Sequence, residues 1–439
     1  MSGYRVMAGV GKLDRGANGK PDEIPVPVYV NGATAGSTTC CLTQLTNRIG
    51  AGVTMSLSRT RNNNYIQEMG LREFTTATSG MYEVDFSFDG IFSPALCEKW
   101  LGYAFMMGDE NAVDVIEVTS SNQLSAFTDA ACTEAYTGSD NDDTVYVKCG
   151  TKIFGQPMLY KDMTSYNSFA TGSAVVKLFG YKNLTGPKYF DLGYQKINIH
   201  ASGVSAYDSS YNEMGVLVGC IIDSASMSYE SGSDAGVRFS ISGHALRDIE
   251  MITSAQFDYA SILDPVPTEV FVGGCVSIYD KDTDGYVPVA QTDSAAISIA
   301  NNTQKLGNCL KLNYSSYAMG ALTYDVSTST YSNDPNKYLK YFYGYEEDMT
   351  PTGGKTIGST SGHYFIGKAP VPIGHMKIRT DDTSAIREAG QETIFMDINM
   401  TDVFVGDMSN SYSVDSAIMD EPSMRTKKVY IAVGYTPSS

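Results

Sequence analysis

The chain is poor in the residues that usually carry chemistry. One Trp and four His stand in 439 residues, and only 18% of positions are charged, below the roughly 25% usual for soluble domains. His200, His244, His363 and His375 show no metal-ligand spacing and read as core or surface residues. Basic residues are scarce as well: 31 Lys and Arg face 49 Asp and Glu, giving a net charge of −18. A DNA binder neutralises phosphates with a basic stripe, and this sequence has none. Acidity of this size favours solubility and repels nucleic acid.

Other absences narrow the field further. No run approaches the ~20 apolar residues that span a bilayer. Residues 1–20 lack the apolar centre of an export signal, so folding in the cytosol is the expectation, with no membrane partner. The eight Cys include no Cys-x-x-Cys pair and read as small hydrophobes in a reducing compartment. There is no Gly-x-Ser-x-Gly elbow. Gly9-Val-Gly-Lys12 lacks the upstream glycine and following Ser/Thr of a phosphate loop, so residues 1–21 read as a flexible N-terminal arm. Asp280-Lys-Asp-Thr-Asp-Gly285 opens like a calcium loop, but Gln291 stands where a bidentate acid is required. An Asp-Gly hairpin turn is its simpler reading. The acidic clusters 140–143 and 346–348 read as solvated loop charge. The expectation is a non-enzymatic chain with no cofactor and no metal.

What is abundant is a strand palette: 42 Gly, 30 Tyr and many Ser and Thr. Val53, Met55 and Leu57 alternate with Thr54, Ser56 and Ser58, and Val84, Phe86 and Phe88 with Glu83, Asp85 and Ser87. Period two with small polar partners predicts strands with one face on a core and one facing water. Met227 and Tyr229, then Val237, Phe239 and Ile241, continue the pattern around a turn at 232–236.

The pattern returns. Val28-Tyr-Val-Asn-Gly32 echoes in Val270-Phe-Val-Gly-Gly274, and Val53-Thr-Met-Ser-Leu-Ser58 in Ala295-Ala-Ile-Ser-Ile-Ala300. Gly80-Met-Tyr-Glu-Val-Asp-Phe-Ser87 echoes in Gly320-Ala-Leu-Thr-Tyr-Asp-Val-Ser327. Lys99-Trp100-Leu101 after Pro94 echoes in Lys340-Tyr341-Phe342 after Pro335. Ordered self-similarity predicts two tandem copies of one domain, 22–263 and 264–439, split at Asp264-Pro-Val-Pro267. Each copy reads as strands, then a short helix, then a closing hairpin (214–244 and 392–435). The fold class is all-β with minor helix, and the first copy carries a Ser/Asp/Thr-rich insertion at 109–170, a surface loop or small lobe.

These residues resemble the tail tube (major tail) proteins of long-tailed bacteriophages, whose domain is a small β-sandwich with one flanking helix. The resemblance rests on the Val53–Ser58 run, Gly70-Leu-Arg, the glycine-led Gly80–Ser87 strand, and the closing runs from Glu392 and from Asp420-Glu-Pro to Thr426-Lys-Lys-Val-Tyr. Two fused copies, with Cys220-Ile-Ile-Asp-Ser and Gly236-Val-Arg-Phe-Ser between them, look like the siphophage subclass that assembles as trimeric pseudo-hexameric rings.

The resemblance implies a virion protein assembled in the host cytoplasm. Its partners would be copies of itself, tape measure, tail terminator and baseplate proteins, and DNA passing without specific binding. On that reading Glu83, Asp85, Ser87, Ser298, Thr323, Asp325, Ser327, Asp397 and Asn399 line the lumen, though the same face serves equally as solvated exterior. The polar stretch 59–79, with Arg61, Asn62, Asn63, Asn64 and Tyr65, would reach the next ring. Another all-β virion component, from the baseplate or capsid decoration, is the alternative. A surface or pilus-like protein would carry an export signal, and a glycan-active module would show Trp platforms.

Overall fold

Alternation of Ser, Thr and Asp with apolar residues dictates strands with one dry face, and the computed structural model of the chain is built almost entirely of them. It describes residues 3–11, 47–48, 51–66, 76–78, 80–94, 97–107, 115–181, 188–199, 213–230, 236–251, 271, 273–289, 292–307, 314–331, 338, 341–342, 370–381, 394–411 and 419–436. Among them the fold is all-β with two short helices, and no helix is long and apolar enough to cross a membrane.

The first half runs β1 (Gly3–Gly11), β2 (Asn47–Arg48), β3 (Ala51–Arg61), β4 (Asn64–Ile66), β5 (Thr76–Thr78), β6 (Tyr82–Ile91) and α1 (Cys97–Ala104). A lobe follows, with β7 (Ile116–Val118), β8 (Leu124–Phe127), β9 (Thr144–Cys149), β10 (Lys152–Leu159) and α2 (Tyr160–Phe169). The half closes with β11 (Val175–Gly180), β12 (Phe190–Ile199), β13 (Glu213–Glu230), β14 (Val237–Ala245) and β15 (Arg247–Met251). The second half holds β16 (Gly273–Asp280), β17 (Gly285–Pro288), β18 (Thr292–Ala300), β19 (Gln304–Gly307) and β20 (Tyr314–Ala318). It ends with β21 (Thr323–Tyr331), β22 (Ile373–Asp381), β23 (Phe395–Ser411) and β24 (Met419–Tyr435).

Both halves carry one strand order. In the first, β3, β6, β14 and the far half of β13 form one layer; β1, β12, the near half of β13 and β15 form the other. In the second, β18, β21, β24 and the far half of β23 repeat the first layer, and β16, β22 and the near half of β23 repeat the second. The long strands serve both layers because each breaks at a left-handed residue, Gly219 (φ 64°) and Asp402 (φ 56°). Each then bulges once more, between Ile222 and Ser224 and between Val405 and Asp407.

Between the layers lies the core. Val84, Phe86, Phe88 and Phe239 are buried in the first half, and Ile297, Val326, Ile398 and Val403 in the second. Helix α1 closes the first half by stacking Trp100 on Phe239, ring centres 4.7 Å apart. Each fully buried aromatic contributes about 2 kcal/mol. The two halves are themselves joined edge to edge: β13 pairs with β18 from Ser224 opposite Ala300 to Glu230 opposite Ser294.

Two expectations change and a third is narrowed. The supposed N-terminal arm contains β1, which pairs with β12 over its whole length, Gly3 opposite Ile199 to Gly11 opposite Asp191. The first half therefore begins before residue 22. The repeat register also moves. Leu57 opposes Phe86 and Ile297 opposes Val326, so the counterpart of Leu57 is Ile297, 240 residues on, not Ile299. A slip of two residues leaves every side chain on its own face, which is why alternation alone did not reveal it. Of the two readings of the 109–170 insertion, surface loop or small lobe, the described residues 115–170 form the lobe. Its three-stranded sheet (β8, β9, β10) and α2 bury Val147, Phe154, Met158 and Tyr166 against Phe395 and Tyr430 of the second half. The 28–32 echo, the 232–235 turn and the 264–267 boundary lie outside the described residues.

Candidate functional site

The side of β6 opposite the core presents Glu83, Asp85 and Ser87, and pairing extends this polar face across both halves. Ser56, Ser87, Ser242 and Ser224 sit in one row, with Ser224 Oγ 2.7 Å from Ser242 Oγ. The next row crosses the junction: Ser240, Ser226, Ser298, Asp325 and Arg425. Ser327 and Ser423 lie opposite each other beyond it. Glu83, Asp85, Ser87, Ser298, Thr323, Asp325 and Ser327 thus share one face, as the alternation predicts.

Asp397 and Asn399 do not belong to it. Both are buried, because α2 lies on what would otherwise be the outer side of β23. Tyr166 on α2 donates to Asp397 Oδ2 at 3.2 Å and accepts from Asn399 Nδ2 at 3.0 Å. Lys377 Nζ lies 2.5 Å from Asp162 Oδ1 on α2 and 3.6 Å from Asp397 Oδ2, and Tyr286 donates to Asp162 at 2.7 Å. Burial alone would lower the Lys377 pKa, but Asp397 and Asp162 outweigh it and hold the ammonium charged. These polar groups clamp the lobe to the second half. Period-two reading could not detect this, since it assumes that a polar residue in a strand faces water.

A hairpin of the second half covers one rim of the face. The β19–β20 pair leans over β6, and Lys305 Nζ lies 2.9 Å from both Glu83 Oε2 and Asp85 Oδ1. Tyr314 donates to Glu83 Oε1 at 2.7 Å, and His244 Nδ1 lies 2.6 Å from Asp85 Oδ1. Hydrogen bonds from Tyr314 and Lys305 hold Glu83 below the usual carboxylate range. Burial pushes Asp85 upward, but Lys305 and His244 more than reverse it. Lys305, Tyr314 and His244 were not legible as a group, because their meeting depends on the junction between halves.

At the matching place in the second half, Arg425 Nε donates to Asp325 Oδ1 at 2.8 Å. This pair is open, with side chains 67% and 48% exposed. Of the stretch expected to reach another ring, Arg61 ends β3 and the Asn62 amide donates to Met81 O at 3.2 Å. Asn63 is exposed, and Asn64 and Tyr65 begin β4, which pairs with β5. Residues 67–75 lie outside the described set. Tyr65 is 62% and Ile66 46% exposed.

The acidic motifs 140–143 and 280–285 meet at the lobe, and the 346–348 cluster lies outside the described residues. Asp140, Asp142 and Asp143 place carboxylate oxygens within 4.8 Å of one another. Asp284, in the turn between β16 and β17, accepts from Asn141 Nδ2 at 2.8 Å and from Tyr279 at 2.6 Å. Cys132, Cys149 and Cys275 are free thiols. No family model matches the chain, and no curated protein matches it.

Proposed function

We propose that the chain is a structural subunit that assembles with copies of itself into stacked rings, forming the tail tube of a long-tailed bacteriophage. The observation that carries this reading is the β13·β18 junction, where two units of the same strand order are joined edge to edge. Among the described residues, β3 pairs only with β6, and residues 404–411 of β23 only with β24. The chain thus ends sideways in the same two kinds of edge that its internal junction joins.

Edge strands left open invite uncontrolled pairing, and closing a ring removes them. Three chains of two units give a six-unit ring in which every contact repeats the internal one. The shared polar face, with Ser56, Ser87, Ser298, Asp325 and Ser327, then lines the channel. Hydroxyls and carboxylates predominate on this face, and its Arg425 is paired with Asp325, so DNA would meet little unneutralised positive charge and slide past. The strong net negative charge and the resemblance described above support the same reading.

Negative-stain electron microscopy of concentrated recombinant protein is the test. Stacked rings or hollow tubes wide enough for duplex DNA are expected; compact monomers under all conditions would defeat the proposal.

A further inference from the structure

The internal junction prescribes how a second copy docks. Two sets of counterparts define it. From β3 to β6 the first half maps onto the second at a separation of 240 residues: Leu57 opposite Phe86 becomes Ile297 opposite Val326, and Tyr65 opposite Ala77 becomes Lys305 opposite Tyr317. In the long strands, Ser87, Ser242 and Ser224 match Ser327, Ser423 and Asp407, so Ser226 of β13 corresponds to Ser409 of β23. Since Ser226 opposes Ser298 inside the chain, the equivalent contact between chains sets Ser409 opposite Ser58.

We propose that a second copy of this chain adds its β3 to the far half of β23, Ser58 opposite Ser409, and lays its β4–β5 hairpin over the Asp325–Arg425 pair. This inference rests on the self-assembly reading above and names its contact.

Charge complementarity argues for it independently of topology. Within the chain the hairpin meets two carboxylates, Glu83 and Asp85, and supplies Lys305 to neutralise them. At the matching outer site Thr323 replaces Glu83, and Arg425 replaces His244 and already neutralises Asp325. A second cation there would be repelled, and the incoming hairpin carries Tyr65 where Lys305 stood. A tyrosine ring can stack on the Arg425 guanidinium, an attraction that strengthens as water is excluded. Three substitutions change together so that both junctions stay balanced. The exposed Tyr65 and Ile66 gain an apolar role at such a contact. On this docking β3 and the β4–β5 pair work sideways, between neighbours in one ring.

The test uses the full chain carrying Ser58→Cys and Ser409→Cys, beside an internal control with Ser226→Cys and Ser298→Cys. Mild oxidation is expected to link the first variant into covalent multimers on non-reducing gels and the control only within the monomer. Tyr65→Lys is expected to weaken self-association at least tenfold by sedimentation. Adding Thr323→Glu and Arg425→His, which copies the internal junction, is expected to restore it. Assemblies that form without the Ser58–Ser409 link and ignore Tyr65→Lys would overturn this docking while leaving the tube reading intact. Monomers at every concentration would overturn both.

Discussion

Gly219 and Asp402 occupy the same point in the two halves, each with a left-handed φ, 64° and 56°, where its long strand passes from one layer to the other. Gly adopts this conformation without cost, whereas Asp is one of the few other residues to tolerate it. Asp402→Gly is therefore expected to stay within about 1 kcal/mol of the parent chain, and Gly219→Val to lose about 2 kcal/mol or more. Denaturant titration decides; equal losses would mean the swivel does not depend on the left-handed residue.

Gly80 and Gly320 are an echo with a steric reason. A Cβ on Gly80 would stand 1.4 Å from the Asn62 carbonyl oxygen, and one on Gly320 2.0 Å from that of Asn302. Gly80→Ala and Gly320→Ala are each expected to cost about 2 kcal/mol, since the obstacle is backbone. Gly374→Ala, with nothing within 4 Å of its Cβ, serves as the neutral control in thermal melts.

Acid should loosen the hairpin from β6. Glu83 is held below its ordinary 4.5, so its contribution is complete above that pH and fades as pH falls through the lower folded value. Glu83→Gln is expected to cost about 1 kcal/mol at pH 7, with the gap to the parent closing as pH falls below 4.5. A gap independent of pH would remove the ionic contact with Lys305 as its source.

The clamp under α2 has a different signature. Lys377→Met leaves buried Asp162 without its cation and Asp397 with only Arg379, 3.7 Å away, and is expected to cost about 3–5 kcal/mol. Replacing all three groups together, with Asp162→Leu and Asp397→Leu, should recover most of that loss, because well-packed apolar groups often match a buried ionic cluster. Failure to recover, measured by denaturant titration, would show that shape and not charge sets the clamp.

Sequence by itself determined the class of fold, the duplication and one polar face. Period-two alternation is a local property, and Val84, Phe86 and Phe88 against Glu83, Asp85 and Ser87 report it directly. Alternation also repeats every two residues, so it left the register between copies open by two, and only pairing placed Ile297 opposite Val326. Position along the chain misled at the start, where β1 finds β12 nearly two hundred residues away. Burial of Asp397 and Asn399 depended on α2 arriving from the inserted lobe, and the meeting of Glu83 with Lys305 on the join between halves. Those contacts link residues far apart in sequence, and long-range pairing is fixed by how surfaces fit, a property no stretch of chain carries alone.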